Sequence, residues 1–250
     1  MRLDQVILRG TLAARPAATT LPNGALYATT DTNEVFLNVA ETWQEFVTGG
    51  GGGGGVVWTD HGPTPLTPPP TTNWTWANQS GAVATEPTAY QSNQLSLAAG
   101  VGTGLSIRYR SAPTPPYSIT AAIHFGGRSY VNYLRAGLIF RESSSGKLAP
   151  LVIRGDARTI TAAKYNSPTS FTSDYASVSP GDFFGSRTTW LRLADNNTNR
   201  ICSYSWDGLN FITLHTVGRT DFLTADEVGW HIQTEGGADM FANLFSWEET

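Results

Sequence analysis

Acids are the first side chains to weigh for covalent or acid–base chemistry, and the chain has 20 Asp and Glu. A retaining glycosidase holds two carboxyl groups about 5 Å apart on either side of the bond it cleaves. The spacing Glu-x-Asp-x-x-Glu would place acids on one face of a strand, and it does not occur. Asp226-Glu227 and Glu248-Glu249 are adjacent pairs, and neighbours in a strand point to opposite faces. Glu142, Asp156 and Glu235 stand alone in sequence, so a structural or solvated role is expected for each. His61, His124, His215 and His231 are far apart and show no metal-ligand spacing. No Asp-x-Asx-x-Asx-Gly calcium loop and no Gly-x-Ser-x-Gly elbow is present. The only Gly-Lys pair, Gly146-Lys147, precedes Leu148, which excludes a phosphate loop. Cys202 has no nearby His to activate it and sits at a strand position, so it reads as a buried, inert thiol. The residues predict no catalytic group, no metal site and no cofactor.

Aromatic rings are the remaining signal. The chain has 8 Trp, 9 Tyr and 11 Phe. Sugar sites stack the apolar face of a ring sugar on an aromatic side chain and add hydrogen bonds from polar neighbours. Outside the clearest core runs, Tyr130, Tyr133, Tyr165 and Tyr175 are the candidate ligand-binding residues. For each, core packing is the competing reading, because aromatics dominate cores.

The elements that would position these residues are short strands. Trp190 to Val217 contains three runs of alternating apolar residues with two turns between them. Leu191 and Leu193 share one face of the first run. Cys202, Tyr204 and Trp206 share one face of the second. Ile212 and Leu214 share one face of the third, with Phe211 and Val217 on the other. Period two over such short runs predicts half-buried antiparallel strands. Asp195-Asn196-Asn197 and Asp207-Gly208 are turn sequences. Similar patterns predict strands near 73–78, 82–84, 93–98, 104–110, 117–125, 134–142, 148–154, 158–165, 226–233 and 239–248. Ser143 to Gly146 reads as a hairpin turn, and Ser167 to Thr189 as a long loop.

Trp190-Leu-Arg-Leu, followed by Ser205-Trp-Asp-Gly and Phe211, resembles the "W-x-R-L … S-x-D-G-x-x-aromatic" signature of concanavalin A-like lectin/glucanase jelly rolls. More closely, it is similar to the jelly-roll modules of bacteriophage virion proteins and bacterial surface proteins. Residues 73–85, 115–123 and 136–153 follow the order of that family, and the resemblance covers roughly 72–250. It implies a two-sheet β-sandwich whose first and last strands pair, bringing Trp74 and Trp76 near Phe245 and Trp247. The fold carries lectins, hydrolases and inert modules alike, so it leaves function open.

Residues 1–48 read as a separate small β unit, with strands near 5–9, 25–30, 34–39 and 42–47. Leu26, Val35, Leu37, Trp43 and Phe46 are its candidate core, which is thin for an independent monomer. Ala14-Arg-Pro-Ala, then Gly24 to Leu37, then Trp43-Gln-Glu-Phe, resembles a small repeat of phage tail and fibre proteins. That resemblance implies a homotrimeric shaft or anchor contacting other virion proteins through 1–48. Residues 49–72 form a Gly/Pro linker. Gly49 to Gly55 is either a free hinge or a polyglycine bundle packed on a threefold axis. The five prolines between 63 and 70 suggest a semi-rigid extended spacer.

The expected whole is therefore all-β: an anchor (1–48), a linker (49–72) and a jelly-roll head (73–250). A formal charge of −4 argues against a nucleic-acid partner, which needs a basic face. No apolar run is long enough to insert in a membrane, and the N-terminus lacks a signal peptide. The residues and resemblances together imply a virion protein made in the host cytoplasm, a fibre or tail adhesin for host-surface glycan that acts by binding alone. The alternatives are a capsid fibre or decoration protein with a structural role, and a polysaccharide depolymerase.

Overall fold

Runs of alternating apolar residues separated by Asx and Gly turns leave the chain little choice but antiparallel strands. The computed structural model of the chain bears this out. It describes residues 7–21, 25–31, 35–46, 66–85, 93–97, 104–127, 134–155, 157–180, 188–234 and 239–250. The chain divides into two units, 1–58 and 59–250. The glycine run, and the choice between hinge and bundle, lie outside the described residues.

In the first unit, β1 (Ile7–Gly10), β2 (Leu26–Thr29), β3 (Val35–Val39) and β4 (Thr42–Phe46) form one sheet in that order. The pairing of β1 with β2 is parallel, so the chain must cross over between them. Two short 3-10 turns, Leu12–Ala14 and Ala18–Thr20, lie in that crossover. Buried polar groups tie it to the sheet. Asn38 donates to the carbonyls of Ala18 (2.8 Å) and Leu21 (3.0 Å). Trp43 Nε1 donates to Pro16 O (2.8 Å), and Tyr27 Oη to Thr11 O (2.9 Å). The buried face therefore has the opposite parity to that expected. Tyr27 and Phe36 are buried, whereas Leu26 is only half-buried; Trp43, opposite Asn38 and beside Tyr27, is the expected core residue that does lie on the buried face. The hydroxyl of Tyr27 makes this possible, because it finds a carbonyl partner where a leucine would find none. The side chains of Val35, Leu37 and Phe46 lie outside the described ones.

The second unit holds fourteen described strands: β5 (Thr75–Ala77), β6 (Val83–Thr85), β7 (Asn93–Leu97), β8 (Ser106–Ser111), β9 (Tyr117–Gly127), β10 (Arg135–Arg141), β11 (Leu148–Arg154), β12 (Thr159–Ser167), β13 (Ser170–Val178), β14 (Thr189–Asp195), β15 (Asn199–Ser205), β16 (Ile212–Gly218), β17 (Glu227–Gln233) and β18 (Met240–Glu249). They form two seven-stranded antiparallel sheets. The first runs β13-β12-β11-β10-β17-β8-β5, and the second β16-β15-β14-β9-β18-β7-β6. The unit is a two-sheet jelly-roll sandwich. Between the sheets, Leu138, Leu151, Trp230, Ile123, Leu191, Leu244 and Trp247 are almost wholly buried in one cluster.

Two expectations need correcting. Part of the expected long loop, Ser170 to Val178, is the edge strand β13, paired with β12 through three register shifts. Its first and last strands do not pair either. β5 borders β8 in the first sheet, and β18 lies between β9 and β7 in the second. The expected aromatic contact nevertheless forms across the sandwich, with the Trp74 and Trp247 rings edge-on at 5.1 Å.

The first sheet also buries much of its outer face. Leu105, Ile107, Ile139, Leu148, Ala163 and Tyr165 make a second apolar cluster there. The turn between β12 and β13 reaches the start of β8, where Leu105 N donates to Pro168 O at 2.9 Å. Much of this face is thereby filled with the protein's own side chains.

Part of the proline-rich segment belongs to the sandwich. β7 pairs with β18 only as far as Leu244, and a register shift follows between Leu244 and Ser246. Thr67 takes over beyond it: its amide donates to Ser246 Oγ (2.9 Å), and its carbonyl accepts from Trp247 N (2.9 Å). Trp74 Nε1 then closes on Pro70 O at 2.8 Å. Ser246→Ala leaves the Thr67 amide without its acceptor. We expect a loss of about 1 kcal/mol in urea unfolding, the ordinary worth of such a bond, and an unchanged midpoint would refute the staple.

Candidate functional site

Tyr130 and Tyr133 lie outside the described residues. Tyr165 sits in the second apolar cluster with 3% of its surface exposed. Its hydroxyl accepts from Arg135 Nη1 at 3.1 Å, its ring meets Phe171 edge-on at 5.3 Å, and burial pushes its pKa up. No ring face is left for a sugar.

Tyr175 is half-exposed but fully engaged, at the seam between the edge strands β13 and β16. Its ring stacks on His215 (4.5 Å, 26°), and Lys164 Nζ lies 4.5 Å from the ring centroid. Its hydroxyl donates to Asp221, and burial followed by that bond raises its pKa to about 12. Behind it, buried Arg200 donates to the carbonyls of Arg219 and Asp221. Here a bulge in β15–β16 overturns the expected alternation: His215 pairs with Cys202, and Val217 turns to the interior. These residues border a void of about 10 Å³, room for one water at most. Burial pushes the Cys202 thiol up to about 12, which makes it the inert core thiol expected. The seam closes the sandwich edge and offers no ligand a pocket.

Glu142, Asp226 and Glu227 are equally committed; Asp156 and Glu235 lie outside the described residues. Glu142, isolated in sequence, comes near Asp226 at one end of the sandwich. Glu142 accepts from Thr224 N (2.8 Å) and Ser145 Oγ, and Asp226 from Ser143 N (2.8 Å) and Ser143 Oγ. The pair locks the β10–β11 hairpin, whose turn falls at Ser143 to Gly146 as expected. The hydroxyl of Ser145 and the amide of Thr224 hold the Glu142 carboxyl below its usual range. A general acid needs the opposite shift. Glu227 is paired with Arg141. Among the described residues no three His, Cys, Asp or Glu side chains gather as metal ligands.

What remains open is the turn from β15 to β16. Asp207 organises it: Oδ1 accepts from the amides of Leu209 and Asn210 and from Ser205 Oγ, each at 2.8 Å. Oδ2 accepts from Asn210 Nδ2 at 2.7 Å. These donors hold the carboxyl far below its usual range, so the turn keeps its shape at any ordinary pH. Gly208 takes φ +76°, a conformation that glycine adopts without strain. Around this frame Trp206 is 37% exposed, Leu209 54% and Ile212 51%. The Trp206 ring rests edge-on against Tyr204 at 5.6 Å, which fixes its attitude. Phe211 turns to the outer face of the second sheet, under the guanidinium of Arg192. The turn thus presents a rigid, shallow apolar surface with one tryptophan, the kind of anchor that loses little conformational entropy on binding. Sequence reasoning assigned Trp206 to the core face with Cys202 and Tyr204. That parity holds, but Trp206 lies past the end of β15, where no facing strand covers it.

No protein family and no characterised relative matches the sequence. Solved structures do resemble the fold. A functionally unknown protein from Saccharomyces cerevisiae aligns over 71% of this chain and 96% of its own, at 18% identity and a TM-score of 0.50. GH43B of the Bacteroides ovatus xyloglucan PUL aligns over 71% of this chain and 36% of its own, at 14% identity and a TM-score of 0.51. Lectin I-B4 from Griffonia simplicifolia, in metal-free form, aligns over 71% and 92% at 13% identity and a TM-score of 0.48.

Proposed function

We propose that the chain is a fibre or tail adhesin of a bacteriophage virion, whose jelly roll binds host-surface glycan without covalent chemistry. The observation that carries the binding surface is the β15–β16 turn: Trp206, Leu209 and Ile212 stand exposed on a frame locked by Asp207. A lectin-like sandwich supplies the rigid scaffold that such a turn needs. The likeness of residues 1–48 to phage fibre repeats supports the virion assignment and a trimer. Trimeric display matters energetically. One shallow sugar site is weak, and linking sites raises avidity roughly 10²–10⁴-fold.

The test is binding of the labelled full-length protein to bacterial cells and to a panel of purified capsular and lipopolysaccharide glycans. In the double variant Trp206→Ala, Leu209→Ala, retention is expected to fall at least tenfold with an unchanged melting temperature. Unchanged retention would remove the turn from the reading, and the absence of any wild-type binding would remove the adhesin.

A structural virion component is the second reading. Phe241, 37% exposed, lies on the outer face of the second sheet beside His124, an apolar position suited to assembly. Phe241→Ala would then weaken incorporation into particles while leaving cell binding intact.

A further inference from the structure

Four neighbouring strands of the second sheet, β6, β7, β18 and β9, set two rows of residues side by side. Val83, Ser96, Phe241 and Gly126 stand directly opposite one another in one row, and Thr85, Gln94, Asn243 and His124 in the next. Opposed residues share a face. The alternate positions Leu95, Ala242, Leu244 and Ile123 belong to the core cluster, so both rows face outward.

Phe241 does not stand up from this face. A methyl group on Gly126 would lie 2.8 Å from Phe241 Cζ and 3.0 Å from Cε1. The far end of the ring thus fills the space that a side chain on Gly126 would take. The ring leans across β9, with one side to the sheet and 37% of the residue exposed. His124 meets it edge-on at 6.2 Å and is itself stacked on Phe245 at 6.3 Å, which braces the ring from the side. The surroundings are polar and uncharged. The Gln94 carboxamide and the hydroxyls of Ser96 and Thr85 have no hydrogen-bond partner among the described residues. Gln94 and Ser96 are half-buried and Thr85 is exposed. No Asp, Glu, Lys or Arg stands in either row.

We infer that these two rows are a platform for a neutral glycan. The apolar face of one sugar stacks on the Phe241 ring, and hydroxyls of that sugar or the next bond to Gln94 and Ser96. A braced ring gives apolar contact at little cost in conformational entropy. A carboxamide both donates and accepts, as a sugar hydroxyl does. The rows span about 14 Å from β6 to β9, room for a short oligosaccharide laid across the strands. An acidic glycan would find no cation in either row. The inference rests on the glycan reading above for its class of ligand and adds a second surface, on a different face from the Trp206 turn. It gives Phe241 to a sugar, where the structural reading gives it to a neighbouring virion protein.

The test is a titration of the full-length protein with maltotetraose, cellotetraose, chitotetraose and, as the acidic control, tetragalacturonate. The NMR signals followed are the Gln94 side-chain amide, the Phe241 ring and the Trp206 Nε1–H. At least one neutral probe should move the Gln94 and Phe241 signals saturably, and the acidic one should leave them still. Gln94→Ala should lower that affinity at least fivefold. Gly126→Ala should do the same by lifting the ring, because its only close obstacle is the far end of that side chain; both variants should keep the wild-type melting temperature. Neutral probes that move Trp206 but neither Gln94 nor Phe241, or variants that bind as the wild type does, would overturn the platform and leave the glycan reading intact. Probes that move none of the three signals, with Phe241→Ala weakening incorporation into particles, would overturn both in favour of assembly. A response of Gln94 and Phe241 with Trp206 still would support the platform and remove the turn.

Discussion

Lowering the pH from 6.5 to 5 is expected to weaken the sandwich by about 2 kcal/mol through His231 alone, at roughly 1.4 kcal/mol per pH unit. His231 is on β17, on the outer face of the first sheet, paired with Ile107 and Gly137. It is fully buried, and neither ring nitrogen has a hydrogen-bond partner. Burial first, and the nearby Arg135 second, lower its pKa to about 3. The sign follows from where the proton binds. Between the unfolded value near 6.5 and the folded value near 3, the unfolded chain takes up a proton that the folded chain refuses. The stability present above pH 6.5 is therefore lost progressively as pH falls through that window. His215, also lowered by burial but partly exposed, adds a smaller effect of the same sign.

The measurement is urea unfolding followed by tryptophan fluorescence at half-unit steps from pH 7.5 to 4.5. His231→Leu should flatten most of the slope. It should also raise stability at pH 7, because an apolar side chain of similar size replaces a polar one with nothing to bond. A variant that keeps the wild-type slope would show that the imidazole is not the group being titrated. Working above pH 4.5 keeps the test clear of Glu142 and Asp207, whose lowered values make them lose stability only at lower pH.

Gly137→Ala is expected to cost at least 3 kcal/mol, at the upper end of what overpacking does, and to leave little folded protein. A methyl group there would lie 2.0 Å from Leu151 O and 3.0 Å from Val152 Cα. Both obstacles are main chain of β11, so no side chain can rotate away. Gly229→Ala meets the same kind of obstacle in β8, with Arg108 O at 2.1 Å. Gly218→Ala is the control, since nothing lies within 4 Å of its added methyl; its unfolding midpoint should stay within experimental error. If Gly137→Ala and Gly218→Ala melt alike, the close approach of β10 to β11 is not a constraint on the fold. Glycine is thus required in the middle of a central strand, for reasons of strand separation.

The sequence carried the sandwich where burial on one face imposed a clean period of two. Leu191 and Leu193 read correctly because a facing sheet removes them from water. β13 escaped because its first three residues, Ser170, Phe171 and Thr172, are all exposed, and bulges interrupt the count of two. An edge strand so built resists pairing with other chains, and the same polar character makes it read as a loop. Tyr165 was a ligand candidate because it stands outside the clearest core runs. The second apolar cluster on the first sheet was not foreseeable from its local sequence, because Leu105, Ile107 and Tyr165 are far apart in the chain. The β15–β16 turn was legible as a turn from Asp207-Gly208. Its exposed rim was not, since alternation places Trp206 inward and only the end of the strand leaves it uncovered. In the first unit, the hydroxyl of Tyr27 and the amide of Asn38 decided which face is buried. Hydropathy counts polar atoms against burial and cannot anticipate partners supplied by a 3-10 crossover.

Thr67 has a mechanical consequence. Without its two bonds, tension on the chain ahead of residue 66 would fall first on β5, a three-residue strand at a sheet edge. Such a strand peels one bond at a time. With them, the load enters at Ser246 and Trp247 of β18, a ten-residue strand paired there with β9 and, from Met240 to Leu244, with β7 as well. Force is then shared by rows of bonds that must slide together to fail. If the chain is the adhesin proposed above, that route keeps the sandwich whole under load.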